Sequence, residues 1–236
     1  YIYTGSPASS ELYLKQGQQQ VGLLKQYIDL KPEDQVLDIG SGVGRTAIAL
    51  TDYLNEKGGY SGFDAVEEGV KWCNKTIGKD FSNFKFNYVP LDNDLYNKSD
   101  IKADDFVFQY EDEQFDKVFL FSVFTHMMVS EIENYLKEIK RVLKPGGMCF
   151  TTLFYYNKEN ENYIASMDNF NFPVAKDGYR LMSDKVKSAN IAISELKLDA
   201  MILASGLTKV TTVDGFWKDK DKGKIEYQDI LVLEKK

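Results

Sequence analysis

The run Val36-Leu37-Asp38-Ile39-Gly40-Ser41-Gly42-Val43-Gly44-Arg45 carries the most chemical information in the chain. Glycine reaches positive φ without steric cost and lets a ligand approach bare backbone, so this alternation describes a turn shaped around something bound. Gly42-Val43-Gly44-Arg45-Thr46-Ala47 satisfies GxGxxA, and Asp64 follows about 20 residues on, as a dinucleotide-binding turn requires. Asp38 separates two ligand classes. A pyrophosphate is drawn to the open N–H groups of a helix N-terminus, and a carboxylate just ahead of the first glycine opposes that attraction. S-adenosylmethionine has no phosphate and carries an ammonium and a sulfonium, which an acidic turn favours. The acid therefore argues for this sulfonium nucleoside over NAD, while Asp64 suits the ribose hydroxyls of either. Read singly, Asp38 and Asp64 would be ordinary strand-end turn residues. Their joint spacing argues for a nucleoside.

His126 is the single histidine, in Phe121-Ser122-Val123-Phe124-Thr125-His126-Met127. Its ordinary pKa of about 6.5 suits it to proton traffic near neutrality. Two roles are open: a base or orienting donor toward an acceptor, or a structural ring that caps a helix or bonds a backbone carbonyl. Cys73 and Cys149 have no CxxC spacing, and one histidine cannot complete a Cys/His metal cluster, so free thiols in a reducing cytoplasm are expected. Asp92, Asp94, Asp104, Asp105, Glu111, Asp112 and Glu113 offer oxygen ligands but follow no recognised loop spacing, so no required metal is expected. A formal charge of −7 without a long Lys/Arg block argues against nucleic acid as a partner. No apolar run approaches the roughly 20 residues that span a bilayer, so no membrane partner is expected. The alternating charges of 218–224 read as a solvated hairpin tip. The oligomeric state is not legible.

The elements that must position these residues follow a βαβ rhythm. Strands are expected at 35–39, 59–63, 84–89, 118–121 and 148–154, with helices after the glycine turn, through Val66, Val70 and Cys73, and over 131–143. Strands alternating with helices imply a parallel sheet covered on both faces. Residues 1–33 read as a helical cap. Residues 155–190 lack a clean period but hold Tyr155, Tyr156, Tyr163, Phe170, Phe172 and Tyr179, either a lid for an acceptor or rings filling a core beneath a long loop. A helix over 193–204 closes at Gly206, and strands at 209–214 and 226–233 end the chain as a hairpin. The whole of 1–236 is expected to be one α/β domain.

Val36 to Arg45 resembles the DxGxGxG motif of class I S-adenosylmethionine-dependent methyltransferases. The likeness extends to Gly62-Phe63-Asp64 at the end of the second strand, Phe115-Asp116-Lys117-Val118 in the fourth, and Arg141-Val142-Leu143-Lys144-Pro145-Gly146-Gly147 before the fifth. It implies a doubly wound, Rossmann-like domain with a seven-stranded, mostly parallel sheet, its last strand antiparallel and helices on both faces. The implied cofactor is S-adenosylmethionine, its methionine part held by Asp38, Gly40, Ser41, Gly42 and Gly44, and its ribose by Asp64 with Ala65 beside it. Adenine contacts fall to Asp92 or Asn93, between which the sequence does not choose, and Phe121 and Ser122 would line the methyl end. His126 occupies the stretch that faces the acceptor in small-molecule members. Gly215-Phe216-Trp217 followed by Tyr227-Gln228-Asp229 resembles a tail of bacterial relatives acting on sugars or small metabolites. The expected function is methyl transfer to a small-molecule acceptor, with oxygen preferred to nitrogen. An NAD-dependent oxidoreductase and a non-catalytic S-adenosylmethionine-binding module are the alternatives.

Overall fold

A computed structural model describes residues 9–95, 97–168, 170–218 and 225–236. Residues 36–39 and 118–120 are buried on both faces, as parallel strands under two helical layers must be. The chain begins with α1 (Ser10–Ile28), capped by the Ser9 side chain, and continues as β1 (Gln35–Ile39), α2 (Arg45–Thr51), β2 (Gly59–Asp64), α3 (Glu67–Asp80), β3 (Phe84–Tyr88) and β4 (Phe115–Leu120). A short helical turn (Phe124–His126) leads into α4 (Val129–Val142) and the long strand β5 (Leu143–Tyr156). The remainder is α5 (Glu161–Ser166), β6 (Val174–Lys176), β7 (Tyr179–Leu181), β8 (Ile191–Ser194), α6 (Glu195–Ser205), β9 (Thr208–Val213) and β10 (Asp229–Glu234).

Seven strands form the central sheet in the order β3-β2-β1-β4-β5-β10-β9, with β10 antiparallel to both neighbours. This is the mostly parallel sheet with an antiparallel last strand that the motifs implied. Its order reverses between β1 and β4, which pair in parallel, and ligands of open α/β sheets bind outside the carboxyl ends of strands at such a reversal. Val36, Phe119, Phe150 and Ile230 bury one face under α1, α2 and α3. Leu37, Val118, Cys149 and Leu231 bury the other under α4 and α6, with Ile132, Leu136 and Ile139 of α4 fully enclosed.

Two expectations are corrected. The stretch expected to be helical from residue 193 is a strand as far as Ser194. There Ile191-Ala192-Ile193 lies wholly buried, and the Ser194 hydroxyl accepts from Lys197 N to start α6. A short apolar run is compatible with either period, and burial beside β5 selects the strand. As a result β5 forks: its 148–153 part pairs with β10, while Phe154, Tyr155 and Tyr156 pair with β8, which leads through β7 to β6. The 155–190 stretch thus contributes a small second sheet. Lys218 is the other correction. Expected at a solvated tip, it is only 5% exposed, because the buried Asp229 carboxylate lies 2.9 Å from its ammonium. The rest of that tip, 219–224, lies outside the described residues.

Candidate functional site

β1 delivers Asp38 to the reversal point as a buried side chain, 4% exposed. Tyr60 of β2 donates its hydroxyl to Asp38 Oδ2 at 2.7 Å. Burial pushes the Asp38 carboxyl up to about 7; the Tyr60 bond opposes this and the nearby Asp64 charge adds to it. Asp64 itself ties the glycine turn down, accepting from Gly42 N at 2.7 Å and from Val66 N at 2.8 Å. The backbone N–H groups of Gly40 and Ser41 donate to Phe63 O, so the turn is fastened to the end of β2 at several points.

The two glycines at the centre of this turn differ. Gly40, at φ +78°, could carry no side chain, since a Cβ would come within 2.5 Å of the Val123 side chain from beyond β4. Gly42, at φ +55°, faces open space where a Cβ would stand. Ser41 between them is buried with no hydrogen-bond partner for its Oγ. A bare approach at Gly42, an unmatched buried hydroxyl at Ser41, a buried carboxyl at Asp38 and a second acid at Asp64 fit a cationic nucleoside. The Asp64 oxygens each keep a lone pair for a ribose hydroxyl. Three further residues were missed from sequence. Tyr13 of α1 donates to Val43 O, Arg45 stacks over the Tyr13 ring at 5.3 Å, and Tyr60 holds Asp38. Tyr60 had a signal: it shares a face of β2 with Gly62 and Asp64 at the two-residue strand period.

The remaining cofactor candidates divide. Asp92 is exposed and uses Oδ1 to accept from Ser99 N within its own loop. Asn93 instead points across the site, donating from Nδ2 to the backbone oxygen of His126 at 3.1 Å. Ala65 packs against the cluster beneath α4. Phe121, at the end of β4, lies 5.1 Å from the Phe150 ring and 6.0 Å from Phe119.

His126 reaches the carbonyl oxygen of Ser188 through Nδ1 at 2.9 Å, and since a carbonyl only accepts, Nδ1 carries the proton. Burial holds the imidazole below its ordinary pKa, against the opposing pull of the Ser188 and Ala189 backbone. The ring therefore joins the turn after β4 to the turn before β8. Beside it Ser122 takes up a left-handed backbone, φ +61°, with its N–H donated to Thr152 Oγ1 and its hydroxyl to Gln228 Oε1 at 3.0 Å. Next to Gln228, Asp229 accepts from Tyr155 N, Gly215 N and Trp217 Nε1, and Lys218 bridges it to Asp214. Among the described residues, no group of three or more His, Cys, Asp or Glu side chains is placed to hold a metal ion, and no helix is long and apolar enough to cross a membrane.

Comparison with known proteins agrees with this geometry. A family described as a methyltransferase domain matches residues 30–222. Phosphoethanolamine N-methyltransferase 2 of Caenorhabditis elegans is 27% identical over 163 residues, 69% of this chain and 32% of the relative. The chain spans about a third of the length of the curated relatives it matches. Among solved structures, a SAM-dependent methyltransferase from Methanosarcina mazei has the same fold, with a TM-score of 0.58 at 17% identity over 90% of this chain and 96% of that one. So does 1,6-didemethyltoxoflavin-N1-methyltransferase from Burkholderia thailandensis, solved with its acceptor and S-adenosylhomocysteine, with a TM-score of 0.57 at 14% identity over 96% of this chain and 79% of that one. With the glycine turn, its buried acid and the family match all on one chain, this protein belongs to the methyltransferase-domain family and shares the fold of solved SAM-dependent methyltransferases.

Proposed function

We propose that the chain transfers a methyl group from S-adenosylmethionine to a small, uncharged acceptor, with oxygen preferred to nitrogen as the methylated atom. The observation that carries this is the buried Asp38 carboxyl at the sheet's reversal point, beside the open side of Gly42 and the unmatched Ser41 hydroxyl. When bound, the cofactor supplies an electrophilic methyl carbon. The chain's own residues would hold it and align the acceptor, whose oxygen forms the new C–O bond as the C–S bond breaks, with S-adenosylhomocysteine leaving and the hydroxyl proton passing to solvent. Asp38 faces the ammonium, Asp64 the ribose, and Asn93, which is turned inward where Asp92 is not, the adenine. Phe121 lines the methyl end. An amine acceptor is protonated at neutral pH, and Phe121, Ser122 and Val123 at the end of β4 offer it no carboxylate, which favours a hydroxyl. The second sheet and its aromatic residues, 155–190, serve as the acceptor's cover.

Calorimetric titration of the ligand-free protein is expected to give heat with S-adenosylmethionine and none with NAD. The opposite pattern would overturn the reading. Release of S-adenosylhomocysteine across a panel of neutral hydroxyl compounds then separates turnover from binding alone.

His126 acts here as a positioning residue, holding the 187–189 turn by its committed Nδ1 proton. With an acceptor found in that panel, His126→Ala is expected to lower the rate by about tenfold, short of the roughly 100-fold or more that a positioned proton-transfer group typically supplies. The distinguishing variant is His126→Gln, whose amide still donates but cannot act as a base; it is expected to recover most of the rate. Equal loss in both variants would restore the base role.

A further inference from the structure

The carboxyl edge of the sheet is occupied in a definite order. Gly40 at the end of β1 touches Val123. Next to Val123, Ser122 has its backbone N–H held by Thr152 of β5 and its carbonyl by the Thr125 hydroxyl, which leaves only its side chain to act outward. That side chain meets Gln228, the residue before β10. The hydroxyl–amide pair therefore lies one residue from the group that packs on the cofactor turn. Gln228 is not free to wander. Its neighbour Asp229 is pinned by three N–H donors and Lys218, and the segment 226–228 ahead of β10 is stitched to 215–217 by Phe216 N to Glu226 O and Trp217 N to Tyr227 O.

Beside this pair stands an aromatic platform. Phe154, Phe172 and Trp217 are buried and packed together, with centroids 4.9 to 5.5 Å apart. On this base rest Tyr227 and Phe216, each 39% exposed and 5.4 Å apart, with Phe170 5.6 Å from Tyr227. Rigid rings with open faces suit a flat or apolar body, and a few fixed polar groups at the margin give it direction. The pair at the margin is neutral, offering a donor and an acceptor but no charge. Of the described cations close by, Lys218 is buried and already faces two carboxylates, and Arg180, bonded to the Phe172 carbonyl, is paired with Glu161. Among the described residues, a phosphate or carboxylate would find no unpaired counter-charge there.

We propose that Phe216, Tyr227 and Phe170 form the acceptor platform, and that Gln228, paired with Ser122, is the side chain that orients the acceptor's hydroxyl. The site takes a flat or apolar neutral alcohol and disfavours phosphorylated acceptors. This rests on the methyl-transfer reading for its meaning, but the binding step can be measured without it.

The test uses 1-naphthol, naphthalene and phosphoethanolamine as probes of the full chain, by equilibrium dialysis in the presence and absence of S-adenosylhomocysteine, with S-adenosylmethionine affinity measured in parallel. Saturable 1-naphthol binding is expected, weakened about tenfold by Tyr227→Ala. Gln228→Ala is expected to weaken 1-naphthol about fivefold, the size of one neutral hydrogen bond, and to leave naphthalene unchanged. Phosphoethanolamine is expected to bind more weakly than 1-naphthol. Phe216→Ala reads the same edge if Tyr227→Ala fails to fold. Unsaturable 1-naphthol binding, indifference to every variant, or tighter phosphoethanolamine binding would each overturn the proposal. Unchanged S-adenosylmethionine affinity in these variants supports a separate acceptor subsite. A parent protein that binds 1-naphthol as expected but ignores S-adenosylmethionine would leave the platform standing and remove the methyl-transfer reading instead.

Discussion

Asp38→Asn is expected to weaken S-adenosylmethionine binding by about 100-fold or more at pH 8, because removing one partner of a buried charge pair costs about 3 kcal/mol or more. The same substitution is expected to stabilise the ligand-free protein at that pH. The sign follows from the raised carboxyl. Buried beside Tyr60, Asp38 titrates at about 7 in the fold against an ordinary 3.8. The native state therefore holds an extra proton between those values. Whatever this raised group contributes is fully present below about pH 4 and lost as pH rises through 7. Above that, the folded protein carries an uncompensated buried anion, which asparagine removes while keeping an oxygen for the Tyr60 hydroxyl. For the parent protein, a cationic ligand binds the deprotonated form, so affinity should fall about tenfold per pH unit below 7 and level off above it. Calorimetry from pH 5.5 to 8.5 with melting curves of both proteins checks all three. An affinity within about threefold of the parent in Asp38→Asn, or a pH-independent parent, would dismiss Asp38 as the ammonium's partner.

The second large effect is on stability. Asp229 is fully buried, and four donors converge on it: Tyr155 N, Gly215 N, Trp217 Nε1 and the Lys218 ammonium. Asp229→Ala leaves the three N–H donors without an acceptor and Lys218, in a site only 5% exposed, with the half-exposed Asp214 as its remaining carboxylate. Breaking a buried pair from one side costs about 3–5 kcal/mol. For a chain of this size that lowers the melting temperature by on the order of 10 °C. Lys218→Met should cost a comparable amount, and the double variant less than the sum, because both changes remove the same buried ion pair. Melting temperatures within about 2 °C of the parent in both single variants would show that the network is not holding the hairpin.

What could be read from the residues alone divides along a physical line. The glycine turn, Asp38 and Asp64 were legible because their spacing is dictated locally, by one strand, one turn and the strand beside it. So was the strand–helix alternation, which rests on period and on uninterrupted apolar runs such as 118–121. The fork in β5 was not, since nothing in Phe154-Tyr155-Tyr156 says that these residues change partners from β10 to β8. Lys218 was misread for a similar reason: its charge suggests water, and only the arrival of Asp229 in the fold makes burial tolerable. The hold of Tyr60 on Asp38 is likewise a contact between strands, and that Asn93 reaches the His126 carbonyl while Asp92 bonds its own loop is set by the fold and not by residue type.

The branching of β5 bears on how such a protein can diversify. Because Met148 to Leu153 keep the main ladder intact by themselves, the three strands that hang from the final residues of β5 can be lengthened, exchanged or grafted from another sequence without disturbing the nucleoside cradle. Under the proposed function, methyl transfer and acceptor choice would then rest on two different hydrogen-bonded ladders, linked through the His126 contact with Ser188.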